Sequence, residues 1–135
     1  MLSIPELEHL QEARARISGS LHRTPVASSR ALSERVGRPV FLKCENLQRT
    51  GSFKVRGALN RILELDNMAR GRGVATVSAG NHAQAVAWAA ARAGISATVV
   101  MPANASPTKA RASEEYGAEV ILQGTIIGAF DLALE

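Results

Sequence analysis

Lysine is scarce in this chain: of sixteen basic residues only Lys43, Lys54 and Lys109 are lysines. Lys54 lies in RTGSFKVRGALN, Arg49 to Asn60, after a small-residue turn and at the start of a segment with helical apolar spacing. Ser52 is the expected N-cap, which puts Phe53 and Lys54 in the first helical turn. The amides of that turn carry partial positive charge and oppose an ammonium, and Arg56 adds a like charge. Burial against Phe53 and its apolar neighbours pushes the same way. These effects together favour the neutral amine, the form that attacks aldehydes in Schiff-base chemistry. The plainer alternative is a surface lysine tolerated at slight cost.

A second segment, SAGNHAQA from Ser78 to Ala85, follows an expected strand and opens an expected helix. Ligands of open α/β folds sit at the carboxyl ends of strands, and a helix start there offers free N–H groups to an anion. Ala79 and Gly80 would let a ligand approach the backbone, Ser78 offers a hydroxyl, and Asn81 could cap the helix or donate its amide to a bound oxygen. A plain strand-to-helix turn with an asparagine cap explains the same residues. His82, alone in a first turn, reads more readily as structural than as a base. Trp88 reads as packing and Cys44 as a small buried hydrophobe.

The elements that must carry these groups follow from periodicity. Helices are expected over about Glu6 to Ile17, with Leu7, Leu10 and Ile17 on one face, and over Ser28 to Val36, stopped by Gly37. Thr24 and Pro25 mark a turn, Pro39 to Cys44 a strand and Glu45 to Gly51 a polar loop. The Lys54 helix carries Val55, Ala58, Leu59, Ile62 and Leu63, and Asp66 to Gly73 reads as a second loop. Alternation then sets in: strand Val74 to Val77, helix Asn81 to Ala93, strand Ala97 to Met101, helix Ser106 to Tyr116, strand Ala118 to Leu122, and a last helical pattern with Ile127, Phe130 and Leu134. That rhythm predicts a parallel α/β sheet, and the charge-free VATVSA and ATVVM suit strands covered on both faces.

Composition narrows the function classes. The 135 residues are 46% hydrophobic and 21% charged, ordinary for a globular domain. No apolar run approaches the roughly 18 residues of a membrane span. The opening MLSIPELEHLQEARARI is amphipathic and carries acids, unlike a secretory or transit peptide, so the expected compartment is the cytoplasm. The net charge of +4 is scattered and aromatics are 4%, a poor basis for nucleic-acid binding. One cysteine makes no internal disulfide, and His9, His22 and His82 lack ligand spacing for a metal. Gly71-Arg72-Gly73 precedes a strand, so it is no dinucleotide fingerprint.

The two motifs, KCENLQRTGSFKVRGA and SAGNHAQAVAWAA, resemble the serine/threonine dehydratase family of fold-type II enzymes dependent on pyridoxal phosphate. The likeness extends to HRTPV at His22 to Val26 and to VVMPANASPTKARASEEYGAEVIL at Val99 to Leu122. It implies a parallel-sheet three-layer fold of the tryptophan synthase β-like class. Residues 1–66 would be the first part of a large cofactor-binding domain, and 67–135 most of a small α/β domain. By position, Lys54 matches the lysine that bonds the cofactor, Phe53 the aromatic beside its ring, and Asn81 the asparagine at its phenolic oxygen. Ser78, Ala79, Gly80, Asn81 and His82 match the loop that receives the substrate carboxylate.

The implied reaction is β-elimination from L-threonine, and from L-serine, to a 2-oxo acid and ammonia, in amino-acid metabolism such as isoleucine biosynthesis, by a homo-oligomer. Relatives that racemise serine carry a serine at position 79, and Ala79 cannot shuttle a proton. Threonine synthases and β-replacing synthases share the fold. The family's glycine-rich phosphate loop and the residue facing the pyridine nitrogen do not occur in these residues. With no terminator before Glu135, the chain reads as truncated, which leaves open a piece that is inactive alone and acts by association.

Overall fold

The computed structural model describes residues 4–125. Its first part holds helix α1 (Leu7–Ile17), strand β1 (Val26–Ser28), helix α2 (Arg30–Val36), strand β2 (Phe41–Lys43) and a single 3-10 turn at Glu45–Leu47. Helices α3 (Lys54–Leu63) and α4 (Asn67–Arg72) follow. The alternating part is strand β3 (Val74–Val77), helix α5 (Asn81–Ala93), strand β4 (Ala97–Met101), helix α6 (Pro107–Glu115) and strand β5 (Glu119–Leu122). The expected last helix, with Ile127, Phe130 and Leu134, lies outside the described residues.

The alternation produces a parallel three-stranded sheet in the order β3-β4-β5, with Val99 opposite Thr76 on one side and Val120 on the other. The chain is therefore mixed α/β with a parallel sheet. Strand β1, unforeseen in the Thr24-Pro25 turn region, pairs with β2 in a separate antiparallel ribbon, Ala27 opposite Leu42. Both its strands are exposed along their length. Only three of the six residues expected in a strand at Pro39 to Cys44 form β2, although Val40 O accepts from Ser29 N–H and Cys44 N–H donates to Pro25 O, each at 3.0 Å.

Helix α5 explains its own composition. It lies between the sheet and α3, and Ala83, Ala85, Ala87, Ala89 and Ala90 are all buried. A helix covered on most sides must be apolar most of the way round, and small residues let both neighbours come close. Gly94 ends it in the left-handed region at φ 70°, where glycine carries no Cβ penalty. Val55, Ala58, Leu59 and Ile62 form the buried stripe of α3 and meet α5 in a core shared with Val99 and Met101.

Three expectations change. In α1 only Ile17 is buried, while Leu7 and Leu10 are exposed; the helix touches α3 at its end, where Arg16 reaches Asn60 and Glu64. The loop expected from Asp66 to Gly73 contains α4, capped by Asp66 Oδ1, which accepts from Ala69 N–H at 2.7 Å. Gly71 inside so short a segment lowers its helix propensity and hides it from periodicity. The β3–β5 sheet is covered best on the Val99 and Met101 face and only in part on the other, where Val100 is buried. On the other face Ala75 and Glu119 are exposed and Thr98 is half-buried among the described residues.

Candidate active site

The loop before α3 sets the first functional side chain. Gly51 N–H donates to Gln48 O at 2.8 Å, and Arg56 N–H to Phe53 O at 3.0 Å, so the helix begins one residue later than expected. Phe53, not Ser52, is the N-cap residue, and Lys54 is the first helical residue. Ser52 Oγ is instead buried without a hydrogen-bond partner, as is Thr50 Oγ1.

Lys54 and Phe53 are both exposed, so the burial expected around the amine is not supplied by the described residues. The like charge expected from Arg56 is also cancelled. Its guanidinium holds the Glu45 carboxylate through Nε to Oε2 at 2.8 Å and Nη2 to Oε1 at 2.7 Å. Thr24 donates to the same carboxylate, and Lys43 Nζ donates to Thr24 O at 2.6 Å. Chiefly through the Arg56 hydrogen bonds, and against its own burial, the Glu45 carboxyl is lowered to about 2. No signal at the level of residue type marked this network. Only an acid and an arginine eleven positions apart in one motif hinted at it.

What distinguishes Lys54 is its freedom. Lys43 gives its ammonium to Thr24 O, and Lys109 gives its own to Asn81 Oδ1 at 2.7 Å. Lys54 Nζ has no oxygen partner among the described residues and rests 5.3 Å from the centre of the Phe53 ring. It stands near His82, whose imidazole is lowered from its ordinary value by partial desolvation first and by the Lys54 charge second.

The second motif starts where β3 ends. Ser78 N–H donates to Val100 O at 3.1 Å, continuing the strand pairing, and Ser78 Oγ accepts from Gly80 N–H at 3.2 Å. That bond folds the loop so that Gly80 is the N-cap residue and Asn81 the first helical residue. Asn81 therefore does not cap the helix; its oxygen faces Lys109, and its Nδ2 stays available as a donor. Ala79 is half-buried, and Asn81 and His82 are exposed. A Cβ built on Gly80 would meet nothing within 4 Å, so the glycine is not there to relieve crowding inside the protein. Trp88 packs against the core as expected, and Cys44 is half-buried.

The helix starts of α3 and α5 thus bring Lys54 and His82 together, with Asn81 beside His82. The surface is open rather than a closed cavity. A concavity of about 490 Å³ lies elsewhere among the described residues, between α1 and a rim that includes His22, Lys43 and Arg56. Its Arg56 is already held by Glu45 and its Lys43 by Thr24 O, so the amine without an oxygen partner among the described residues lies on the ledge around Lys54. Sequence reasoning passed over Lys109, although its own position in a helix's first turn repeats the anomaly that marked Lys54.

Residues 17–133 match the family described as pyridoxal-phosphate dependent enzyme, and the chain belongs to it. Over 129 residues it is 50% identical to the L-threonine ammonia-lyase of Thermotoga maritima, covering 96% of this chain and 31% of that protein. Among solved structures it is similar to maize serine racemase, with a TM-score of 0.91 and 41% identity over 98% of this chain and 40% of that one. It is also similar to the threonine deaminase of T.th., with a TM-score of 0.85 and 45% identity over 96% of this chain and 41% of that one. The chain spans about a third of the length of the curated relatives it matches.

The residues present fit the family's cofactor on its reactive side. An aromatic aldehyde calls for a free amine, an apolar surface and a donor for its phenolic oxygen. Lys54, the exposed Phe53 ring and Asn81 Nδ2 are of those kinds. The unfilled space at Gly80 and the unpartnered Ser52 Oγ are further features that the described residues do not use.

Proposed function

We propose that this chain carries the lysine and the substrate loop of an enzyme that eliminates water and ammonia from L-threonine, and from L-serine, leaving a 2-oxo acid. The observation that carries this reading is that Lys54, alone among the three lysines, has an ammonium with no oxygen partner among the described residues. Pyridoxal phosphate, when bound, supplies an electron sink for the α-carbon. Lys54 Nζ would hold the cofactor through its aldehyde and would serve as the base for the α-proton. Phe53 lies beside the ring, and Asn81 Nδ2 donates to its phenolic oxygen. The loop Ser78-Ala79-Gly80, with the first amides of α5 at Asn81 and His82, receives the substrate carboxylate, as a helix start is suited to do. A lowered His82 stays neutral near neutral pH and adds no competing cation.

Ala79 favours elimination over racemisation, because a methyl group cannot return a proton to the opposite face of the α-carbon. The separate β1–β2 ribbon and the β3–β5 sheet support reading residues 1–66 and 67–135 as parts of a large and a small domain. Work on free amino acids fits a cytoplasmic homo-oligomer, and no described helix is long and apolar enough to cross a membrane. A second reading, a piece that acts by association alone, draws on the exposed Val26, Phe41, Leu42 and Leu47.

Borohydride reduction of the protein with pyridoxal phosphate, followed by peptide mapping, tests the assignment. The label is expected on Lys54 and not on Lys43 or Lys109, and Lys54→Ala is expected to remove it. Label on another lysine overturns the reading. Ammonia and 2-oxo acid release from threonine and serine by the natural protein, with chiral analysis of serine, separates elimination from racemisation.

A further inference from the structure

Lys109 is the third residue of α6, within a first turn that holds no acidic residue. The partial positive charge of that turn opposes an ammonium, so a lysine there needs a compensating partner. Its main chain is tied down: Lys109 N–H donates to Ser106 O at 2.9 Å, and Lys109 O accepts from Ser113 Oγ at 3.1 Å. Ser113 is completely buried, so the α6 turn that carries the lysine is anchored to the interior.

From that anchor the side chain crosses to another helix. Lys109 Nζ donates to Asn81 Oδ1 at 2.7 Å, joining the first turn of α6 to the first residue of α5 across 28 positions of sequence. An ammonium has donors and no acceptor, whereas a carboxamide has one of each kind at its two ends. The contact can form in one sense only, with the amide oxygen toward Lys109 and Nδ2 turned away. Asn81 is exposed, and no other hydrogen bond of its side chain stands among the described residues. Without Lys109 nothing described would choose between the two orientations of the amide. A charged donor on the oxygen also polarises the amide and strengthens Nδ2–H as a donor.

We propose that Lys109 is a positioning residue: by holding Asn81 Oδ1 it presents Asn81 Nδ2 to the phenolic oxygen of pyridoxal phosphate. This rests on the reading of Asn81 given above. Lys109 touches neither cofactor nor substrate and acts through the asparagine. An oxygen presented in place of the Nδ2 group would set two acceptors against each other and weaken cofactor binding.

The test measures two things in the natural protein. The side-chain amide resonances of Asn81, assigned by their loss in Asn81→Ala, are compared in the cofactor-free wild type, Lys109→Met and Lys109→Arg. Pyridoxal phosphate affinity is then measured by titration for the wild type, Lys109→Met, Lys109→Arg, Asn81→Ala and the Lys109→Met/Asn81→Ala double variant. Lys109→Met is expected to shift the Asn81 resonances and to weaken binding about five- to tenfold, the scale of one ordinary hydrogen bond. Lys109→Arg, which keeps a donor, is expected to recover most of both. In the Asn81→Ala background the methionine is expected to add nothing. Unchanged Asn81 resonances in Lys109→Met, or additive losses in the double variant, overturn the proposal while leaving the Asn81 assignment standing. Full cofactor affinity in Asn81→Ala instead removes the assignment of Asn81 to the cofactor, and this proposal falls with it.

Discussion

Arg56 grips the carboxylate of Glu45 with two of its nitrogens, at 2.7 and 2.8 Å, and so ties the loop after β2 to the first turn of α3. Two parallel charged hydrogen bonds fix direction as well as distance. The Lys54 turn is therefore anchored by a side chain two residues further along the same helix. The Glu45 side chain is mostly shielded from water, while Arg56 is about a third exposed, so the pair is worth less than a fully buried one.

Glu45→Gln is expected to destabilise the protein by about 2 kcal/mol at pH 7, the scale of hydrogen bonds to a charged group. The folded carboxyl titrates at about 2 against an ordinary 4.5, so its stabilisation is complete above 4.5 and lost as pH falls toward 2. Urea unfolding at several pH values should show the wild type losing its advantage over Glu45→Gln across that window. A constant difference between the two proteins at all pH values would contradict the ion pair.

Lys54→Met is expected to raise the His82 titration toward its ordinary value of 6.5, because it removes a neighbouring positive charge. Partial desolvation, the larger cause, remains, so the return is partial. Imidazole proton shifts followed against pH measure it. The sign for stability follows: with His82 lowered in the folded state, its contribution is present above 6.5 and lost as pH falls. A His82 titration indifferent to Lys54→Met would mean that the two helix starts do not face a common space.

Two glycines should respond to alanine by different amounts. At Gly73, φ is 77° and an added Cβ would lie 2.9 Å from Ser96 O and closer still to Ser96 Oγ, so Gly73→Ala should cost about 1–3 kcal/mol or more. At Gly80, φ is −143° and the space is open, so Gly80→Ala should cost no more than about 1 kcal/mol, as for loss of a glycine cap. Ligand affinity should nevertheless fall, because the methyl fills the space beside the loop. Thermal unfolding paired with pyridoxal phosphate and substrate titration distinguishes the two effects. Retained affinity in Gly80→Ala would show that no ligand approaches there.

Leu59→Ala should cost about 2–5 kcal/mol, since its side chain is fully buried between α3 and α5 and leaves a cavity. By loosening α3 it should also weaken the influence of Lys54 on His82. Denaturant unfolding gives the first quantity and the His82 titration the second. A small loss with an unchanged titration would mean that α3 is held by its loop rather than by its core face.

Residue order alone was enough for β3, α5, β4, α6 and β5, because short charge-free apolar runs and the 3.6-residue period act over a few neighbours. The same local rules located the α3 start to within one residue and singled out Lys54, Asn81 and the loop between Ser78 and His82. They missed β1, whose ribbon exists only through pairing with β2, and α4, whose cap signal at Asp66 was outweighed by its glycine. Which lysine stays unpartnered among the described residues, how the Glu45 carboxylate offsets the charge of Arg56 and where Lys109 delivers its ammonium are matters of contact between segments 11 to 28 residues apart. No periodicity encodes such pairings. They arise when packing of α3 and α6 against α5 brings the side chains within hydrogen-bond reach, and that packing exists only in the folded chain.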